Sequence, residues 1–438
     1  MLLKDITSNV IWIILSKLIK AVLVLIVTMF TARYLGPVKY GLLSYAASLV
    51  AFVTPIMQLG INSTIVYELK RTPHDEGEIL GTSIVMCFIS SILCFLGLIS
   101  FIFIVNAGEK ETIIVCALYG VLLIFQSFDI VQYWFQSKLL SKYVATTMIF
   151  SYTVLAFIQF YLLLKQKSIY LFAITNSIDS FLLSSILIFL YVKKASQRFK
   201  FSIKMCLRIF SKSKYYIISS IMITIFAQTD KVMLTLMCGT SANGYYSAAV
   251  TSANSTAFIF AAIIISFRPI IFESKTISQT LFESNIKTLF SLVVYSSLFV
   301  SLIFTFFSKF IIALLFGSEY FAAIPALRII IWYTTFSYLG TIRDIWLLAE
   351  GKQKYIWVVN MIGAFLNVIL NFVLIPRINI IGAAVASLMT QIFTNFLLGF
   401  IIKPIIRNNI LLIQGLKISF LKSKIKQLND IIQKGVKK

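Results

Sequence analysis

Along the chain, long runs that are almost wholly apolar alternate with short polar gaps. A bilayer core about 30 Å thick takes about 20 apolar residues per helical crossing, so each run has the length of one span. Hydropathy places spans at roughly 9 to 32, 40 to 60, 79 to 105, 112 to 136, 143 to 164 and 169 to 192. A second set follows at roughly 214 to 237, 245 to 270, 286 to 316, 323 to 349, 355 to 376 and 381 to 402. The pattern predicts an all-α polytopic membrane protein of about twelve transmembrane helices in two six-helix lobes. The lobes occupy 1–192 and 214–403, with a basic cytoplasmic linker at 193–213 and a basic amphipathic tail at 404–438. Leu421, Ile425, Leu428 and Ile432 recur at helical spacing among the lysines of the tail, so linker and tail both suit helices lying on the membrane surface.

Composition agrees: 59% of the 438 residues are hydrophobic, 13% are charged and the mean hydropathy is +0.93, which excludes a water-soluble class. The loops are short, so no extramembrane catalytic module is expected. A formal charge of +23 in a soluble chain would point to nucleic acid. Here most of the 39 Lys and Arg fall on one side once the amino terminus is placed inside, so the charge reflects topology, with both termini cytoplasmic. Anionic lipid headgroups are then the partner of this charge, and nucleic acid is not. The first run carries Lys17 and Lys20 and lacks a small-residue cleavage site, so it reads as a retained span. Five scattered cysteines and a single histidine, His74, offer no metal site, no cofactor site and no catalytic group.

Gly36, Gly41, Ser44 and Ala46, where the second span begins, recur as Gly239, Gly244, Ser247 and Ala249 where the eighth begins. The pattern GxxxxGxxSxA marks a duplication of the whole half. Because each half has an even number of spans, the copies share orientation, and two such halves imply a central cavity and alternating access.

Charges inside spans cost roughly 2.5 to 3.5 kcal/mol each on insertion scales, so they normally face a cavity or a partner. Lys17 and Lys20 lie three apart on one helix face; they face the cavity or snorkel to the headgroups. Asp230 on the seventh span binds a coupling ion or neutralises a lysine such as Lys20, and Asp129 and Asp179 raise the same choice, leaning to structural pairing. Lys231, Arg268 and Arg343, beside Asp344, extend the cationic set, with Arg328 nearer a span end. Cations outnumber acids, so the expected ligand is anionic, with a pyrophosphate bound by Lys17, Lys20, Lys231, Arg268 and Arg343. Asn360, Asn367 and Asn371 share one face of the eleventh span and Gln391 and Asn395 lie four apart on the twelfth; such amides bind sugar hydroxyls or hold helices together.

The segment ARYLGPVKYGLLSYAASLVAFVTPIMQLGI at Ala32 to Ile61 resembles the signature of the polysaccharide transport family, within the multidrug/oligosaccharidyl-lipid/polysaccharide exporter superfamily. QTDKVML with NGYYSAA at Gln228 to Ala249, and LLFGSEYFAAIPALRII at Leu314 to Ile330, resemble later family blocks, and the nearest likeness is to O-antigen flippases of the Wzx type. The resemblance implies a bacterial inner-membrane protein that turns a polyprenyl-pyrophosphate-linked oligosaccharide across the membrane for lipopolysaccharide or capsule, beside polysaccharide polymerase and chain-length machinery. Two positions depart from the family: Tyr67 stands before Glu68 where relatives often have Arg, and Gln228 precedes Asp230 where many have Arg. An ion-coupled drug exporter of the same superfamily, and a membrane glycosyltransferase or polymerase, are the rival expectations.

Overall fold

A computed structural model describes residues 2–417 and 419–420. The apolar positions of the expected tail, Leu421 to Ile432, lie outside the described residues. Among those residues every regular element is helical. Ten helices among the described residues are long and apolar enough to cross a membrane. Large side chains such as Leu93, Ile104, Phe157 and Phe306 are 64%, 79%, 71% and 78% exposed, a surface that suits lipid and not water. The protein is thus an all-α, multi-pass membrane protein.

The chain divides into two compact units, Met1–Ser247 and Ala248–Lys438. The first begins with helix α1 (Leu2–Met57), followed by α2 (Ile65–Arg71), α3 (Glu76–Val105) and α4 (Lys110–Gly120). Two short helices, α5 (Leu122–Gln126) and α6 (Gln132–Ser137), flank a tighter 3-10 turn at Ser127–Val131. Then come α7 (Ser141–Leu164), α8 (Ile169–Lys194), α9 (Ile203–Cys238) and α10 (Thr240–Asn254), the last running past the unit boundary. The second unit holds α11 (Ala257–Ile277), α12 (Gln279–Phe306), α13 (Ser308–Leu315), α14 (Ile324–Ala349), α15 (Lys354–Ile392), α16 (Leu398–Ile401) and α17 (Ile406–Gly415). Its core gathers Phe260, Phe282, Phe290, Ile342, Trp346 and Leu411.

Two pairs of expected spans are fused. The stretch Leu15–Met57 has 43 residues and Lys354–Ile401 has 48, lengths that at about 1.5 Å per residue exceed twice the bilayer core. Each breaks at one point. Gly36 has φ 69° and ψ 172°, a conformation open to glycine, and Pro37 follows it without a backbone N–H. In α15 the break falls at Ile378 and Asn379, just after Pro376. Turns this short do not interrupt an apolar run, so hydropathy sees a gap only through the polar side chains nearby. Conversely, the expected span at 245 to 270 is divided between α10 and α11, and that at 286 to 316 between α12 and α13.

The linker also differs from a surface helix. Residues 195–202 are non-helical and lie along the start of α3. Gly77 N donates to Gln197 Oε1 at 2.9 Å, Lys200 N to the Gly77 carbonyl at 3.0 Å, and Ser202 N to Thr82 Oγ1 at 3.1 Å. A methyl group on Gly77 would lie 2.1 Å from the Arg198 carbonyl oxygen, so the bare glycine face admits the strap. Ser202 then caps α9, accepting from Met205 N, and that helix starts eleven residues before the expected span.

The two copies of the sequence repeat meet each other. Gly239, like Gly36, has positive φ (90°) with ψ 171°. A methyl on Gly41 would lie 1.8 Å from the Thr240 carbonyl oxygen, and one on Gly244 would lie 2.0 Å from that of Pro37, so backbone touches backbone from both sides. Ser44 Oγ and Ser247 Oγ share a hydrogen bond of 2.6 Å, and Asn243 Nδ2 donates to the Gly41 carbonyl at 2.9 Å. This seam joins the second part of α1 to α10 in the manner of small-residue helix contacts in lipid.

Candidate functional site: charged and polar groups within the spans

In the first unit, Lys20 on α1 reaches Asp179 on α8, with Nζ 3.0 Å from Oδ2 and 5.1 Å from the centre of the Tyr152 ring. Asp129, in the 3-10 turn between α5 and α6, interacts electrostatically with both, and its Oδ1 is shielded from solvent without a hydrogen-bond partner among the described residues. Lys17, three residues earlier on α1, is exposed. Asp230 is 6% exposed and accepts a 2.5 Å hydrogen bond from Tyr246 Oη; Lys231 beside it is half-buried. Of the three aspartates left open by the sequence, Asp129, Asp179 and Asp230, the fold pairs Lys20 with Asp179.

The second unit ties its intramembrane cation more tightly. Arg343 on α14 is 4% exposed. Its Nε and Nη2 donate to Asp344 Oδ1 at 3.1 and 2.8 Å, and its Nη1 donates to the Thr394 carbonyl at 3.1 Å and to Asn395 Oδ1 at 2.8 Å. Asn395 Nδ2 donates in turn to Gln391 Oε1. Asn395 sits in a π-helical turn, Phe393–Leu397, which swings its amide toward α14. Asn371 Nδ2 donates to Asn367 Oδ1 at 3.0 Å, both fully buried, whereas Asn360 is half-buried. Arg268 is exposed, over the Phe272 ring at 5.7 Å.

A cavity of about 410 Å³ opens in the first unit between the second part of α1, the α4–α5 region and α9. Its polar lining consists of Thr54, Gln58, Tyr119, Gln126, Ser220 and Thr224, and no lining residue is charged. Thr54 and Thr224 spend their hydroxyl protons on the Val50 and Ser220 carbonyls, at 2.8 and 3.0 Å, which leaves their oxygens free to accept. Gln126 carries a shielded side-chain oxygen with no hydrogen-bond partner among the described residues. None of these six positions stood out in the sequence, because each belongs to an ordinary apolar run and only the fold brings three such runs around one space.

The fold also resolves both departures from the family pattern. Glu68 is 1% exposed and meets Arg208 at 3.1 Å and Lys212 at 2.6 Å, both from α9, while Tyr67 turns outward at 63% exposed. Distant cations therefore replace the neighbouring arginine. Gln228 accepts from Ser48 Oγ at 3.1 Å, a neutral contact between α1 and α9. A second buried acid, Glu76, pairs with Lys138 and accepts from Trp134 Nε1 at 2.8 Å.

The helix bundle that carries these ion pairs and this cavity shares its fold with solved structures. An inward-facing multidrug resistance MATE family transporter of the MOP superfamily superposes with a TM-score of 0.68 at 12% identity, over 90% of this chain and 95% of that one. The lipid II flippase MurJ, in an inward closed conformation, gives 0.64 at 17% identity, over 92% and 90%. The eukaryotic MATE transporter AtDTX14 gives 0.60 at 13%, over 94% and 98%. No curated protein matches the sequence. Residues 6–275 match the family described as "Polysaccharide biosynthesis protein", and the chain belongs to that family. The segments Ala32–Ile61 and Gln228–Ala249 fall inside the matched region.

Proposed function

We propose that this protein is a flippase that carries polyprenyl-pyrophosphate-linked oligosaccharide units, of O-antigen or capsule, across a bacterial inner membrane by ion-coupled alternating access. The observation that carries the proposal is the polysaccharide biosynthesis family match over residues 6–275, in a chain whose described residues include ten helices long and apolar enough to cross a membrane. The two fused helices, read as two crossings each, make twelve crossings with both termini cytoplasmic. Lys17, Lys20, Lys231, Arg268 and Arg343 are the diphosphate contacts, Asn360, Asn367, Asn371, Gln391 and Asn395 meet sugar or hold helices, and Asp129, Asp179 and Asp230 serve ion coupling or charge pairing. Lys20 exchanges one anion for another: the pair with Asp179 leaves the lysine side chain 30% exposed, so a cargo phosphate reaches it without first stripping a dry ion pair. Polymerase and chain-length proteins are the partners that receive the cargo.

Deleting the gene and extracting polyprenyl-linked oligosaccharides tests this directly. Complete units accumulating on the cytoplasmic face are expected. Unchanged lipid-linked sugars with altered drug sensitivity would instead support the second reading, an ion-coupled multidrug exporter, which the shared fold of the MATE transporters keeps in play.

A further inference from the structure

We infer that the uncharged cavity between α1, α4–α5 and α9 is a sugar subsite that accepts a neutral pyranose of the cargo and rejects a uronate. This rests on the flippase proposal and adds to it a place and a selection rule for the sugar. The charged groups proposed for the diphosphate do not line this space, whose polar groups are two carboxamides, two threonine hydroxyls, one serine and one tyrosine. The carboxamides, the serine and the tyrosine can donate and accept, and the two threonine oxygens accept, which matches the alternating donors and acceptors of vicinal sugar hydroxyls. A carboxylate or ammonium placed there would meet no counter-ion and would lose its hydration uncompensated. The volume, about 410 Å³, lies within the range of small-ligand sites. Apolar residues make up the rest of the wall, so a prenyl chain is the competing occupant.

The test uses the purified full chain carrying Ser220→Cys, with N-ethylmaleimide labelling at position 220 read by peptide mass spectrometry. Farnesyl-diphosphate-linked glucose and, at high concentration, methyl glucoside are expected to slow labelling. Bare farnesyl diphosphate and farnesyl-diphosphate-linked glucuronic acid are expected to leave the rate unchanged. Adding Thr54→Val should weaken the protection by methyl glucoside about fivefold, the loss of one neutral hydrogen bond to the Thr54 oxygen. Bare farnesyl diphosphate protecting as well as its glucosylated form would overturn the subsite in favour of a prenyl pocket. Protection by no sugar compound, or a thiol at 220 that does not label in the empty protein, would overturn it outright. Protection by methyl glucoside without any effect of the two glycosylated diphosphates would keep the sugar site and sink the lipid-linked cargo.

Discussion

Each unit sets a cation against an aspartate inside the membrane, and the two do so in opposite ways. Lys20 holds one carboxylate oxygen and the face of one tyrosine, with lysine and aspartate side chains 30% and 14% exposed. Arg343 is the buried member of its pair, 5% exposed against 33% for Asp344, and its guanidinium is held on three nitrogens by a carboxylate, a carbonyl and an amide. The lysine has a single strong partner and an open flank, so it can trade that partner. The arginine has its planar fork filled, so it braces α14 against the segment after α15. Cations that look alike in a hydropathy plot thus divide by geometry into a part-exposed contact and an enclosed one.

The comparison breaks most readily at Arg343. Arg343→Leu should destabilise the protein by about 3 to 5 kcal/mol, because it strips the partner from Asp344 and the π-turn amide together; heat-induced unfolding in detergent measures it. Arg343→Lys should recover only part of that loss, since an ammonium cannot fill the same fork; full recovery would mean that charge alone matters there. Gly244→Ala tests rigidity elsewhere in the first unit: the methyl meets the Pro37 carbonyl, and a loss of roughly 1 to 3 kcal/mol is expected from the overpacked seam. Lys20→Ala leaves Asp179, 14% exposed, without its lysine, at a cost of about 1 to 3 kcal/mol, and should abolish export with membrane insertion intact. Export at the normal rate would remove Lys20 from the transport path. The smallest effect belongs to Ser44→Ala, about 1 kcal/mol for one hydrogen bond lost to Ser247.

Much of this architecture was legible in the apolar runs, since a membrane helix must satisfy its backbone internally and therefore advertises its length. The internal repeat was legible too, but its consequence was not: nothing in GxxxxGxxSxA says that Gly41 lies on Thr240 and Gly244 on Pro37. Lys20 and Asp179 each stood out as charges in lipid, while their pairing depended on helix rotation, which hydropathy leaves open. The partners of Glu68 lay out of reach for another reason. Arg208 and Lys212 belonged to a basic linker expected to lie on the membrane, and only the strap along Gly77 and Gly81 starts α9 early enough to deliver them. The π-turn at Asn395 and the cavity carried no sequence signal, because both arise where several unremarkable segments converge.

The seam also decides how damage to it could be mended. What a side chain at Gly41 or Gly244 strikes is a carbonyl of the facing helix, and a carbonyl is the same whatever residue carries it. No substitution opposite can make room, so a bulky change at either glycine has no partner mutation that repairs it, whereas the contact between Ser44 and Ser247 can be rebuilt from either side.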